Sequence, residues 1–231
     1  MQEGTNQDCL QVAGGTTLQL LPDRALFLPE FKTLVLADLH FGKVNHFRRA
    51  GLPVPPAAMT RNAERLIELL QRLQPTRTIF LGDLFHRAYN DDCEVIGQIV
   101  RHFPGCAFDL VQGNHDILSD QQYIRQGIRV LQQETIARLL LTHEPLPPEQ
   151  VPAGRVNVAG HIHPAARLVG KGRQSLTMPC FWLSAIQLVL PAFGTFTGLA
   201  VIQPQENDSV FIIVENRILE CRAASLDPAG S

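Results

Sequence analysis

Three apolar runs, "TLVLADLH", "TIFLGDLFH" and "AFDLVQGNHD", read as buried β-strands, and each finishes in aspartate, asparagine or histidine. Two more follow the same plan: "LLLT" leads into His143, and "VNVA" leads into "GHIH" with His161 and His163. Burying an unpaired carboxylate at a strand end is expensive unless hydrogen bonds, an opposite charge or a metal ion compensates it. Open α/β sheets bind ligands outside the carboxyl ends of their strands, so all of these clusters would converge there. Six of the eight histidines belong to the clusters, and only His46 and His102 lie elsewhere.

The segments between the runs fit an α/β core. "AAMTRNAERLIELLQRL" keeps Met59, Ala63, Leu66, Ile67, Leu70 and Leu73 at helical spacing, and Pro75 stops it. A second helix is predicted from Asp91 to Phe103, with Pro104-Gly105 as its stop signal. Strand, helix and strand in alternation predict a largely parallel sheet. Upstream, a polar N-terminal arm precedes "TTLQLLPDRALFLPE", which reads as two strands around a Pro22-Asp23 turn. Beyond Gln126 the short runs "IRVLQQ", "IARLLLTHE", "RVNVAGHIH", "ARLVG", "AIQLVL", "LAVI" and "SVFIIVE" predict a mainly β layer packed against the first half. The chain of 231 residues is expected to form a single domain, residues 1-231, with flexible ends at about 1-8 and 223-231.

Composition narrows the setting. Hydrophobic residues are 45% and charged residues 18%, a globular profile. The N-terminus lacks the basic start and apolar stretch of a secretory signal, and "LSAIQLVLPAFG" is interrupted by Gln187 and Pro191, so no membrane span and a cytoplasmic location are expected. The five cysteines are scattered without a C-x-x-C pair, which argues against a disulfide framework or a thiolate zinc site. With a net charge of −2, no global basic field marks a nucleic-acid binder; polyanion contacts would be local or mediated by cations.

Taken singly, Asp38 or Asp83 reads as a cap or turn residue, His143 as a satisfied strand-end histidine, and "GNHD" as a turn. Together they read as a site. Asp38, His40, Asp83, Asn114, His143, His161 and His163 form a nitrogen and oxygen donor set without thiolate, suited to Mn, Fe, Zn or Co. Seven donors exceed one ion's needs and suit two ions about 3.5–4 Å apart, the geometry of phosphoester hydrolysis. Lys43, Arg48 and Arg49 form a basic patch close by in sequence, equally readable as a phosphate grip or as solvated surface. Phe41, Phe47 and Tyr89 could stack on bases, although core packing is the commoner role. Cys180 and Trp182 read as packing residues, and "LPAFGTFTG" as a turn near the site rim.

The ordered series "DLH", "GDLFH", "GNHD", "TH" and "GHIH" resembles the calcineurin-like metallophosphoesterases. That resemblance implies a four-layer αββα sandwich with a dinuclear site at the sheet edge. It implies one ion held by Asp38, His40, Asp83 and His163, and a second by Asp83, Asn114, His143 and His161, with Asp83 bridging. His115 would sit over the scissile phosphate as a catalytic residue, with Asp116 orienting it. His86, also assigned to the catalytic set, falls where many phosphatases carry "GDxVDRG"; "GDLFH" is similar to the SbcD-type DNA nucleases and tilts the substrate toward phosphodiesters.

Over nearly the whole chain, "LVLADLHFGKVNHFRRAGLPVPP", "GHIHPA", "MPCFWLS" and "LVLPAFGTFTG" look like the ligase-associated DNA damage response endonuclease family (PdeM). The implied activity is that of a DNA endonuclease in repair using two divalent metal ions, manganese first. The implied partners are DNA, an ATP-dependent DNA ligase and a DEXH-box Lhr-like helicase, and a homodimer is allowed. Two alternatives remain open: a phosphohydrolase acting on a nucleotide or other small phosphoester, which the acidic pI mildly favours, and a non-catalytic scaffold, which the intact motifs disfavour.

Overall fold

The structure is a computed structural model that describes residues 8–41, 57–85, 91–170, 174–195 and 197–222. Its first sheet contains β1 (Cys9–Ala13), β2 (Thr16–Leu21), β3 (Ala25–Leu28), β4 (Thr33–Ala37), β5 (Arg77–Leu81), β6 (Ala107–Val111) and β7 (Ile128–Leu131), side by side in chain order. β1 to β4 pair antiparallel, whereas β4 to β7 pair parallel. Parallel neighbours need crossovers. These contain α1 (Ala57–Leu73), α2 (Asp91–His102) and α3 (Asp120–Arg125). Leu66, Leu69 and Leu70 of α1, Ile96 and Ile99 of α2 and Tyr123 of α3 pack on Leu34, Leu36, Phe80, Phe108 and Leu110 of the sheet.

The second sheet comprises β8 (Glu134–Ile136), β9 (Leu139–Leu141), β10 (Val156–Ala159), β11 (Pro164–Val169), β12 (Ser175–Leu183), β13 (Gln187–Val189), β14 (Ala200–Val201), β15 (Ser209–Val214) and β16 (Arg217–Arg222). Its spatial order is β14-β11-β12-β13-β10-β9-β8, and β15 pairs with both β12 and β16. The inner faces of the two sheets meet through Val35, Ala37, Ile79, Leu81 and Val111 on one side and Leu139, Leu141, Val156, Val158, Phe181 and Phe211 on the other. β4, β5 and β6 are thus covered by helices on one face and by the second sheet on the other, which is why their sequences are continuous apolar runs. On the outer face of the second sheet, Ala166, Cys180, Ile202, Val210 and Ile212 form a small third cluster. Among the described residues no helix covers that face, so the helical layer seen is the one on the first sheet.

The α/β class and the two stacked sheets match expectation, with local departures. "IRVLQQ", grouped above with the second layer, supplies β7 of the first sheet, because α3 returns the chain beside β6. The Cys180 and Trp182 segment lies within β12, the nine-residue strand at the heart of the second sheet. The stretch just after the end expected to be flexible, about 1-8, forms β1, and Asp8 accepts a hydrogen bond from the Gln19 amide at 2.7 Å. Residues 1–7 and 223–231 lie outside the described residues.

Candidate metal centre

The loops that follow β4, β5, β6, β9 and β10 deliver one donor group each. Asp38 follows β4 with φ +53°, and His40 follows with φ +46°. His40 N–H donates to the Asp83 carbonyl at 2.8 Å, and Phe41 N–H donates to Leu84 at 2.9 Å, so the first two loops are zipped together. Asp83, His161 and His163 also adopt positive φ. Backbone strain of order 1–3 kcal/mol per residue persists only where its surroundings enforce it, and here it gathers on five candidate ligands.

Glycines admit the close approach. A Cβ on Gly113 would come within 2.6 Å of Asp83 Oδ1, and one on Gly160 within 2.6 Å of Asp38 Oδ2.

Two donor groups result: Asp38, His40 and His163 in one, Asp83, His143 and His161 in the other, with the ligand atoms of each group within 4.8 Å of one another. Asp83 lies between them, with Oδ2 at 3.6 Å from His40 Nε2 and Oδ1 at 3.5 Å from His143 Nε2. Asn114 Oδ1 sits 3.1 Å from His143 Nε2, and His161 Nδ1 sits 3.0 Å from the same atom. Asp38, His40, Asp83 and His143 are buried, whereas Asn114 and His115 are exposed.

Hydrogen bonds at the outer atoms aim the inner ones. His143 Nδ1 faces the Leu81 carbonyl at 3.0 Å, and His163 Nδ1 faces the Gly198 carbonyl at 3.1 Å. A ring nitrogen against a carbonyl must carry the proton, which leaves each Nε2 lone pair directed inward, as a metal ligand requires. Asp38 Oδ2 accepts from His161 N–H at 2.8 Å. Its Oδ1 is buried without a hydrogen bond, as is His163 Nε2 only 3.6 Å away. A carboxylate oxygen and an imidazole lone pair facing each other in a dry site are two acceptors without a donor, and a divalent cation resolves that conflict. The residues therefore fit the group.

Asp116 is engaged elsewhere. It accepts from Leu84 N–H at 3.0 Å, Gly113 N–H at 2.9 Å and Tyr123 Oη at 3.2 Å. Burial pushes its pKa up, and the nearby Asp83 charge adds to that. Its carboxylate thus braces the "GNHD" turn against the "GDL" turn, and any orienting of His115 runs through that turn. The His115 ring stands edge-on to His40 at 6.0 Å, and the backbone N–H of His115 donates to Asp83 Oδ1 at 3.0 Å.

His86, Lys43, Arg48 and Arg49 lie outside the described residues, as do Phe47 and Tyr89. Phe41 is core, and Trp182 donates its indole N–H to Asp208 at 2.8 Å. Burial, followed by the neighbouring Cys221, pushes the Cys180 thiol up to about 12, which makes it inert. Sequence reasoning missed the supporting residues: Tyr123, the Leu81 and Gly198 carbonyls, and Asn157. For Asn157 a signal existed, a lone amide inside the apolar run "RVNVA".

A buried set of histidines and carboxylates at the strand ends of a two-sheet α/β fold is the apparatus of a metal-dependent phosphoesterase. The calcineurin-like phosphoesterase profile matches residues 31–163, and the chain belongs to that family. Among solved structures, the nuclease MPE of Pseudomonas putida is similar over 90% of this chain and 97% of its own, with 26% identity and a TM-score of 0.75. The phosphoesterase Yfce of E. coli is similar over 79% of this chain and 88% of its own, with 16% identity and a TM-score of 0.40. A comparison with curated protein sequences returned no match.

Proposed function

We propose that this chain is a dinuclear metal-dependent phosphodiesterase that cleaves DNA, acting as an endonuclease in repair. The observation that carries the reading is the pair of donor groups with Asp83 between them and His115 at the exposed rim. Similarity to the Pseudomonas putida nuclease supports the choice of nucleic acid. The assigned ligands are Asp38, His40, Asp83 and His163 for one ion and Asp83, Asn114, His143 and His161 for the other. Mn2+ suits this donor set first, with Fe, Zn or Co as alternatives.

Such ions supply an acidified water and charge neutralisation at the phosphate. The protein's part is to hold both ions on largely buried ligands and to meet substrate at the exposed Asn114–His115 rim. His115 protonates the departing oxygen, because its imidazole stands at the exposed rim, where it can recover a proton from solvent. Asp116 keeps its turn in place. A single cytoplasmic domain, with Lys43, Arg48 and Arg49 gripping flanking phosphates and His86 in the catalytic set, completes the reading. An ATP-dependent DNA ligase and a Lhr-like helicase are the proposed partners.

The test is hydrolysis of bis(p-nitrophenyl) phosphate, its monoester and DNA after chelation and Mn2+ re-addition. Diester and DNA cleavage should need Mn2+, disappear in Asp83→Asn and fall by about 10²–10⁴-fold in kcat in His115→Ala. DNA cleavage should also weaken steeply with salt, because contacts to phosphates release counterions. Turnover of the monoester alone would favour a small phosphoester substrate. Full activity in both variants would remove the assignment.

A further inference from the structure

The segment after β13 runs across the ends of both sheets. Leu190 N–H donates to the Ala159 carbonyl at 2.8 Å, on the strand that leads to His161. Ala192 bridges Ala37; Phe193 N–H donates to the Ala37 carbonyl at 2.8 Å and Gly194 N–H to the Asp38 carbonyl at 3.1 Å. A few residues on, the Gly198 carbonyl meets His163 Nδ1. This strap therefore touches the backbone beside Asp38 on one sheet, the strand end before His161 on the other, and the ring of His163 itself.

Two arginines hold the strap from behind. Arg24, in the β2–β3 turn with φ +63°, donates to the Gly194 carbonyl at 3.2 Å. Arg65, on α1, donates to the Phe193 carbonyl and lies 4.0 Å above the Phe193 ring. Carbonyls that accept from a guanidinium polarise the amides beyond them and strengthen their own donation. Ring stacking fixes Arg65 in addition. Both contacts are made by neighbouring cations held largely out of water: burial, and then the charge of Arg24, drive the Arg65 pKa down to about 10, and burial lowers that of Arg24. The charges of Asp23 and Glu68 offset part of that shift, and Asp23 also pairs with Arg72 at 2.6 Å.

We infer that Arg24 and Arg65 are positioning residues of the metal centre: by holding the Gly194 and Phe193 carbonyls they lock the strap that fixes Asp38 against His161 and His163. The inference rests on the dinuclear reading above and extends it. Neither residue touches a candidate ligand, so each acts through the strap, and its loss should loosen the Asp38, His40 and His163 group more than the Asp83, His143 and His161 group. A cavity of about 260 Å³ adjoins both arginines, beside Pro22, Met178 and Pro179, and lets shorter side chains be solvated without a sealed void.

The experiment is titration of the chelated full chain with Mn2+, following the free-ion resonance signal, for wild type, Arg24→Met, Arg65→Met and Arg65→Lys. Apo melting temperature and circular dichroism report folding. Wild type should bind two ions. Arg65→Met and Arg24→Met should weaken one of them at least tenfold while changing the other less than threefold, and Arg65→Lys should recover part of the loss. Uniform weakening of both ions in proportion to a lowered apo melting temperature would reduce the arginines to structural residues and overturn the inference. Two unchanged dissociation constants would overturn it as well. Should Arg65→Met fail to fold, Arg24→Met in the β2–β3 turn and Arg65→Lys give the same decision. Wild type binding fewer than two ions would instead overturn the dinuclear reading, and this inference with it.

Discussion

Asn157 is fully buried on β10, and all four of its side-chain bonds are made. Oδ1 accepts from Leu146 N–H at 2.9 Å and from the Gln187 amide at 3.0 Å, while Nδ2 donates to the Leu140 carbonyl at 3.0 Å and to Thr142 Oγ1 at 2.8 Å. The loop that carries His143 is thereby tied at both ends. Replacing the amide by an apolar isostere leaves buried backbone groups unpaired, at about 1–3 kcal/mol each. Asn157→Leu should therefore lower unfolding stability by roughly 2–5 kcal/mol in urea titrations and loosen the ion near His143; a loss below about 0.5 kcal/mol would mean the loop is held by other contacts. At this scale the candidate ligands were legible because aspartate, asparagine and histidine directly follow apolar runs. The Leu81 and Gly198 carbonyls were not, since any residue type supplies a carbonyl and only the fold decides where it points.

Between elements, one charged group couples the sheets at the end remote from the candidate site. Asp109 of β6 accepts from Arg77 of β5 at 2.5 Å and from Arg129 of β7 at 2.8 Å, and Arg77 continues to Glu134 on β8 of the second sheet. Burial pushes the Glu134 pKa up, but hydrogen bonds from Arg77 and from Thr135 N–H, with the charges of Arg77 and Arg129, outweigh it, and the net shift is downward from 4.5. A carboxyl with a depressed folded pKa adds stability above its unfolded value and loses it as pH falls through the folded value. Wild type should lose stability between about pH 5 and 3 by a component that Glu134→Gln lacks, and thermal melts of both proteins across that range would measure it. Identical acid profiles would show that solvent screens the pair. The strands of the parallel core could be read directly, because burial on both faces makes them continuous apolar runs. β12 and β16 could not. β12 begins exposed and ends half-buried, so neither alternation nor a clean apolar run marks it. α3 is six residues long, too short for helical periodicity to register, and it hid the return of β7 to the first sheet.

Across the whole molecule, Asp38, His40, Asp83 and Asn114 come from the first sheet, whereas His143, His161 and His163 come from the second. Each candidate ion would draw ligands from both: His163 joins Asp38 and His40, and His143 and His161 join Asp83. Metal binding should therefore act as a cross-link between the layers, added to the apolar contacts and the hydrogen bonds that already join them at this end, and it should be felt as global stability. An ion that binds only the folded state stabilises it by about 2.7 kcal/mol at a free concentration one hundred times Kd. For a domain of this size that corresponds to roughly 5–10 °C in melting temperature per ion. Chelation should lower the melting temperature by at least that amount, Mn2+ should restore it, and Asp83→Asn, which removes the carboxylate common to both groups, should flatten the response. Because the unpaired Asp38 Oδ1 and His163 Nε2 face each other in the folded state, the apo protein carries a local penalty that unfolding relieves. The metal-dependent increment should accordingly appear in the unfolding rate, since the site forms only when both sheets have docked. A melting temperature indifferent to chelation and Mn2+ would mean that the strand-end cluster is held without cations and would remove the cross-link.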